Sequence, residues 1–178
     1  MTLPLKRVFF ALNPSIKSKK QIHNWLRYYV DEPYKPVPMA NFHITLQFLG
    51  QITEQQQRQI EIAVAHIESP KLEVRLDTFN YWPKPKILWL GCRQPEALLL
   101  SLQQQISQAC HALSFVEQHS DYTPHLTLSR KAYGLPELTK EGKKSLDFVL
   151  TFNEFCLMQS VSTEHGVRYD VLRCWPLR

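Results

Sequence analysis

Two short strings, His43-Ile44-Thr45-Leu46 and His125-Leu126-Thr127-Leu128, stand a little under half the 178-residue chain apart. Each lies in a run of strand-forming residues, 41–49 and 125–130. Successive side chains of a strand face opposite ways. His43 and Thr45 therefore share one face, and Ile44 and Leu46 the other. The same holds for His125 and Thr127 against Leu126 and Leu128. Each strand buries an apolar pair and displays an imidazole and a hydroxyl about 7 Å apart. With seven histidines and nine threonines in the chain, chance yields such a pair of strings, flanks included, at roughly the 0.2% level. Two imidazoles facing one cleft suit acid–base chemistry. One takes a proton from water or a hydroxyl while the other gives a proton to a leaving oxygen. An ordinary pKa near 6.5 makes both forms present near neutrality. Threonine hydroxyls can donate to the non-bridging oxygens of a tetrahedral anion. Together these groups suit a phosphodiester.

Other chemistries lack their residues. The five glycines, Gly50, Gly91, Gly134, Gly142 and Gly166, form neither G-x-G-x-x-G nor a P-loop, so phosphate is not cradled by glycine-rich backbone. Cys92, Cys110, Cys156 and Cys174 form no C-x-x-C, and there is no H-E-x-x-H, which disfavours a zinc site. Ser69, Ser101 and Ser129 lack G-x-S-x-G. His23, His66, His111, His119 and His165 have no partner motif. The +5 net charge and pI near 9.0 permit a polyanionic partner, with solvated surface lysines an equal alternative. The bases are scattered: Lys17, Lys19 and Lys20; Lys84 and Lys86; Arg130 and Lys131; Lys143 and Lys144. Residues 1–12 hold no leader-like apolar region, and no run nears eighteen apolar residues. A cytoplasmic protein with reduced thiols is expected, Cys110 and Cys156 serving as small buried apolar residues.

The elements that must hold the two strings follow from pattern. Residues 7–12 read as a strand and 16–30 as a helix. Pro33, Pro36 and Pro38 make a loop. The first motif strand, 41–49, stops at Gly50. Thr53 caps a helix carrying Ile60, Ala63, Val64 and Ile67, closed by Ser69-Pro70. Residues 72–81 and 87–92 read as a hairpin around Trp82-Pro83-Lys84-Pro85. Pro95 opens a helix through Leu98, Leu102, Ile106 and Leu113. The second motif strand, 125–130, precedes a loop over 131–145. Strands over 147–160 and 167–177 close the chain. This order predicts an α+β fold: one domain over 1–178, with two pseudo-symmetric lobes of antiparallel sheet, helices on the outer faces and a central cleft. Arg130 has the parity of Leu126 and Leu128. An unbroken strand would aim it away from His125, unless the strand ends or bulges near Ser129.

These residues resemble the two-histidine phosphoesterase superfamily, in particular the bacterial RNA 2',3'-cyclic phosphodiesterases once called 2'-5' RNA ligases. The likeness covers nearly the whole chain: 7–12 as the first strand, 41–50 and 124–130 as the motif strands, and Ser160, Gly166 and Tyr169 in the closing hairpin. The resemblance implies hydrolysis of RNA 2',3'-cyclic phosphate ends to 2'-phosphomonoesters. His43 would be proton donor to the ribose 3' oxygen and His125 proton acceptor from water. Thr45, Thr127 and Arg130 would hold the phosphate. With a 5'-hydroxyl RNA end in place of water, ends would join through a 2'-5' linkage. No metal or nucleotide cofactor is implied. RNA carrying cyclic phosphate ends, tRNA halves among them, is the expected partner, with no membrane and no obligate protein partner, the chain acting as a monomer. The acid–base split rests on the family, because the two strings are nearly symmetric. Phe48, Tyr81, Trp82, Trp89, Tyr122 and Tyr133 could stack on a base, Tyr122 first among them. Alternatives are a phosphodiesterase for another cyclic phosphate or small nucleotide, and a non-catalytic RNA-binding module.

Overall fold

The structure is a computed structural model and describes residues 5–30, 35–115 and 121–178. The first four residues, Pro33 and His119 lie outside these. Strand β1 (Lys6–Leu12) leads into helix α1 (Ile16–Tyr29), whose N-terminus is capped by the Ser15 hydroxyl accepting from Ser18 N. A single 3-10 turn, Met39–Asn41, precedes β2 (Ile44–Ile52). Thr53 then starts α2 (Glu54–Val64) as expected, through a capping box with Gln56. Next come β3 (Leu72–Leu76), β4 (Thr78–Trp82), β5 (Ile87–Gly91) and α3 (Ala97–Ala112). The chain ends with β6 (His125–Ser129), α4 (Lys140–Lys144), β7 (Phe148–Phe152), β8 (Glu154–Thr163) and β9 (Gly166–Pro176).

Seven strands form one antiparallel sheet in the order β4-β5-β6-β2-β1-β8-β9. The two lobes are its halves, joined where β2 meets β6 through one register pair, Ile44 with Leu126. Both motif strands thus lie at the seam. Their apolar side chains Ile44, Leu46, Leu126 and Leu128 are essentially unexposed and enter one core with Ile22, Leu26, Ile60, Leu102 and Ile106 from the helices. Each such side chain contributes roughly 1.5–3 kcal/mol by leaving water, which pins the opposite face of each strand toward the site.

Five expectations change. The first motif strand, expected over 41–49 with a stop at Gly50, starts at Ile44 after a 3-10 turn and runs through Gly50 to Ile52. The strand over 72–81 splits at Asp77, whose N–H bonds Gly91 O and whose carboxylate accepts from Arg93 N. The strand over 147–160 splits at Asn153, whose carbonyl accepts from Leu177 N. The freed pieces β3 and β7 pair as a second, two-stranded sheet whose Leu72, Val74, Leu76, Leu150 and Phe152 enter the same core. The stretch 131–145 is not all loop. It contains α4, capped by the Thr139 hydroxyl and fastened by Trp25 Nε1 donating to Gly142 O. One turn has no room for an apolar stripe, so the pattern hid it. Finally, Cys156 and Cys174 are joined as a disulfide rather than carried as reduced thiols, a bond in which Cys92 and Cys110 take no part. They sit directly opposite on β8 and β9, a register that exists only once the hairpin at Gly166 closes.

Candidate active site

Continuing the Ile44–Leu126 register by one residue each way sets His43 against Thr127 and Thr45 against His125. The four polar side chains therefore form a quadrilateral on one face of the seam. Two residues along and one strand across put the histidine Cα atoms roughly 8 Å apart, a span that can flank one phosphate. Both imidazoles are held alike. His43 Nδ1 donates to Asn41 O at 2.7 Å, and His125 Nδ1 donates to Thr123 O at 2.8 Å. A carbonyl can only accept, so each neutral ring carries its proton on Nδ1 and leaves Nε2 as the base. Thr45 Oγ1 lies 3.1 Å from His43 Nε2 and donates to it in that tautomer. Thr45 and Thr127 are both buried.

Arg130 settles its parity conflict by the strand's end. β6 stops at Ser129, whose hydroxyl accepts from Lys131 N, and the chain bends at Arg130. The guanidinium charge then acts on both imidazoles. Burial pushes His43 down to about 4. Its bond to Asn41 opposes this, while the charges of Arg130, His125 and Lys19 add to it. His125 is also lowered, by burial first and then by Arg130, against its bond to Thr123. Both rings are thus neutral at pH 7, where the sequence suggested one of each form.

Aromatic rings wall each imidazole. Phe9 and Tyr169 each lie 4.9 Å from His43, and 5.1 Å from one another. Trp82 lies edge-on 4.7 Å from His125, with Trp89 at 6.2 Å. A Cβ on Gly91 would collide with the Trp89 ring, so glycine there lets that ring lie beside His125. Tyr122 is half-buried and packed against the core, and its hydroxyl donates to Thr45 O at 3.1 Å, joining the segment before β6 to β2 across the seam. Phe48 and Tyr133 are exposed, and Tyr81 turns to the core with its hydroxyl on Ala132 O.

Sequence reasoning missed two residues. The Asn41 side chain donates to Val167 O and accepts from Tyr169 N, so β9 fixes the residue whose carbonyl orients His43. Lys19 is 8% exposed and donates to Ala40 O at 2.8 Å. Its signal was available: a lysine three residues before Ile22 stands in the apolar stripe of α1. Among the described residues, the one trio placed to share a metal ion is Glu154, Cys156 and Cys174, on β8 and β9, with its two sulfurs already joined.

Comparison with known proteins follows the same lines. The Escherichia coli K12 protein named RNA 2',3'-cyclic phosphodiesterase is 29% identical over 174 residues, 97% of this chain and 97% of its own. The Methanocaldococcus jannaschii protein of that name is 25% identical over 177 residues, 95% of this chain and 99% of its own. The crystal structure of E. coli LigT complexed with 3'-AMP matches with a TM-score of 0.85 at 26% identity, over 98% of this chain and 99% of that one. The family model of the 2'-5' RNA ligase superfamily matches residues 14–164, a span holding both His-x-Thr strings, and the chain belongs to that superfamily.

Proposed function

We propose that this protein is an RNA 2',3'-cyclic phosphodiesterase that opens cyclic phosphate ends to 2'-phosphomonoesters with His43 as acid and His125 as base. The observation that carries the mechanism is the pair of imidazoles across one seam, each with Nδ1–H fixed to a carbonyl two residues upstream and Nε2 as its reacting atom, that of His43 met by the Thr45 hydroxyl. Thr45, Thr127 and Arg130 hold the non-bridging oxygens. His125 Nε2 takes a proton from water, whose oxygen bonds to phosphorus. The bond from phosphorus to the ribose 3' oxygen breaks, and His43 gives that oxygen its proton. The products are a 3'-hydroxyl and a 2'-phosphate. A 5'-hydroxyl RNA end in place of water yields a 2'-5' linkage by the same steps, none of which calls on a metal.

The low pKa of His43 fits this role once the substrate's charge is included. The site gathers Arg130, Lys19 and two imidazoles, whose positive charges oppose protonation of His43. An arriving phosphodiester anion offsets the cations and favours the imidazolium. His43 therefore takes up its proton with the substrate. The chain acts as a single two-lobed monomeric unit in the cytoplasm on RNA ends such as those of tRNA halves, with the half-exposed ring of Tyr122 bordering the base.

The direct test offers a cyclic-phosphate RNA and a 2',3'-cyclic mononucleotide to the wild type, His43→Ala and His125→Ala, with and without EDTA. Each substitution is expected to lower kcat by about 10²–10⁴, and EDTA to leave the rate unchanged. Near-wild-type turnover by either variant would rule out the paired mechanism.

A further inference from the structure

We propose that the body of the RNA runs from the cyclic end along a basic, aromatic track formed by the β4–β5 hairpin tip and the bend after β6. The site just described binds one phosphate, and its proposed substrate carries many more. The track begins at Trp82, whose ring already lies against His125. Beyond it the hairpin tip exposes Lys84 and Lys86. The bend after β6 exposes Arg130, Lys131 and Tyr133 beside that tip.

The two segments are fastened to one another. Ala132 N donates to Lys86 O at 3.1 Å, and the Tyr81 hydroxyl donates to Ala132 O at 3.3 Å. Lys86 Nζ stands 5.9 Å from the centre of the Tyr133 ring, which is 78% exposed. Lys86 holds that position with φ at +68°, a left-handed conformation that suits glycine. A side chain kept at such a position marks a place to look for function.

Charge beside aromatic rings, next to the site, marks this surface. Arg58, Arg75, Arg93, Arg168 and Arg173 are each paired with a carboxylate. Lys84, Lys86, Arg130 and Lys131 are in none of these pairs, as is true of the other lysines; here the unpaired cations stand next to Trp82 and the exposed Tyr133 ring. The sequence has no acidic residue between Asp77 and Glu96, nor between Asp121 and Glu137. Unneutralised cations beside exposed aromatic rings, continuous with a phosphate-binding site, fit a single strand whose backbone follows the charge and whose bases stack.

The proposal rests on the RNA-end reading, and the test separates the two. A 5'-labelled single-stranded RNA of about ten nucleotides with a cyclic phosphate end is titrated by fluorescence anisotropy in a His125→Ala background, where turnover is blocked. Lys84→Gln, Lys86→Gln and Lys131→Gln combined should weaken binding at least about tenfold near 0.1 M salt. They should also flatten the log–log salt slope by about 2. Tyr133→Ala should weaken binding about five-fold or more. In the otherwise wild-type protein the same changes should leave kcat/KM for a 2',3'-cyclic mononucleotide within about two-fold, since it never reaches the track. Unchanged RNA binding, or an equal loss on both substrates, overturns the track. A wild type inert on the mononucleotide but sensitive at the track in anisotropy would overturn the reaction and keep the track.

Discussion

His43 and His125 begin from the same local geometry and end in different surroundings. Each gives its Nδ1 proton to a carbonyl two residues upstream. His43 is 7% exposed, closed in by Phe9 and Tyr169 and within the fields of Arg130 and Lys19, with His125 repelling it as well when protonated. His125 is half-buried at the mouth, against two tryptophans, and its shift has one charged cause, Arg130. A nearly symmetric pair of sequence strings thus becomes an asymmetric pair of acids. Burial and neighbours separate them, as they separate two carboxylates given different tasks on one fold.

The largest effects come from removing one side of this comparison at a time. His43→Gln and His125→Gln should each lower kcat by about 10²–10⁴, but on opposite limbs of the pH–rate profile. His43→Gln should remove the alkaline limb, where the acid is lost, and His125→Gln the acidic limb, where the base is protonated. If both variants lose the same limb, the asymmetry has no catalytic meaning. In the wild type, the kcat/KM profile reports the empty site, where both pKa values are lowered. The kcat profile reports the site with the anion bound. The kcat/KM maximum should therefore lie at lower pH than the kcat maximum, and coincident maxima would break the link between substrate charge and His43.

The same contrast should appear in stability. His43 has a folded pKa near 4 against an ordinary value of 6.5, so the unfolded chain binds the proton more readily. Stability from this group is present above pH 6.5 and is lost as pH falls through the window to 4. Between pH 7 and 4.5 the loss from His43 is about 2–3 kcal/mol. Urea unfolding of wild type and His43→Gln at the two pH values checks it: the acid-induced loss should shrink by about that amount in the variant. An equal loss in both would show that His43 is not buried neutral.

A smaller effect is expected from the His125 wall. Gly91→Ala places a methyl where the Trp89 ring lies, so the ring must move beside His125. A fall in kcat of about tenfold is expected, because a misplaced base of about 1 Å is costly. The NMR titration of His43 should be unmoved. A shift at both histidines would mean the two walls are one mechanical unit.

What the sequence showed and what it hid divide along one line. Strand parity placed His43 with Thr45 and His125 with Thr127, because alternation is local and the apolar partners must go inward. It also exposed the Arg130 conflict, which the end of β6 at Ser129 removes. Features that depend on which strand meets which were out of reach. The β3–β7 sheet and the grip of Asn41 on β9 join segments far apart in the chain, while the Cys156–Cys174 bond, spanning only 18 residues, depends on the register that a bulge between Leu157 and Met158 sets in the closing hairpin. The helix α4 escaped for a different reason, since one capped turn leaves no period to read.

Lys19 offers the finest adjustment of the comparison. It reaches the His43 side alone, by its charge and by its bond to Ala40 O in the turn that carries the Asn41 carbonyl. Its own pKa is lowered by burial, so this ammonium is kept at some cost. Lys19→Met removes a positive charge and should raise the pKa of His43, because the imidazolium no longer meets that repulsion. The shift should be less than about one unit, since burial, not the Lys19 charge, does most to lower His43. His125, whose shift has no Lys19 component, should stay where it is. Lys19→Arg keeps the charge and should leave both histidines unshifted. Side-chain NMR titration of both imidazoles reads all of this directly. A shift of His43 in Lys19→Arg as large as in Lys19→Met would assign the effect to the turn's geometry rather than to the charge.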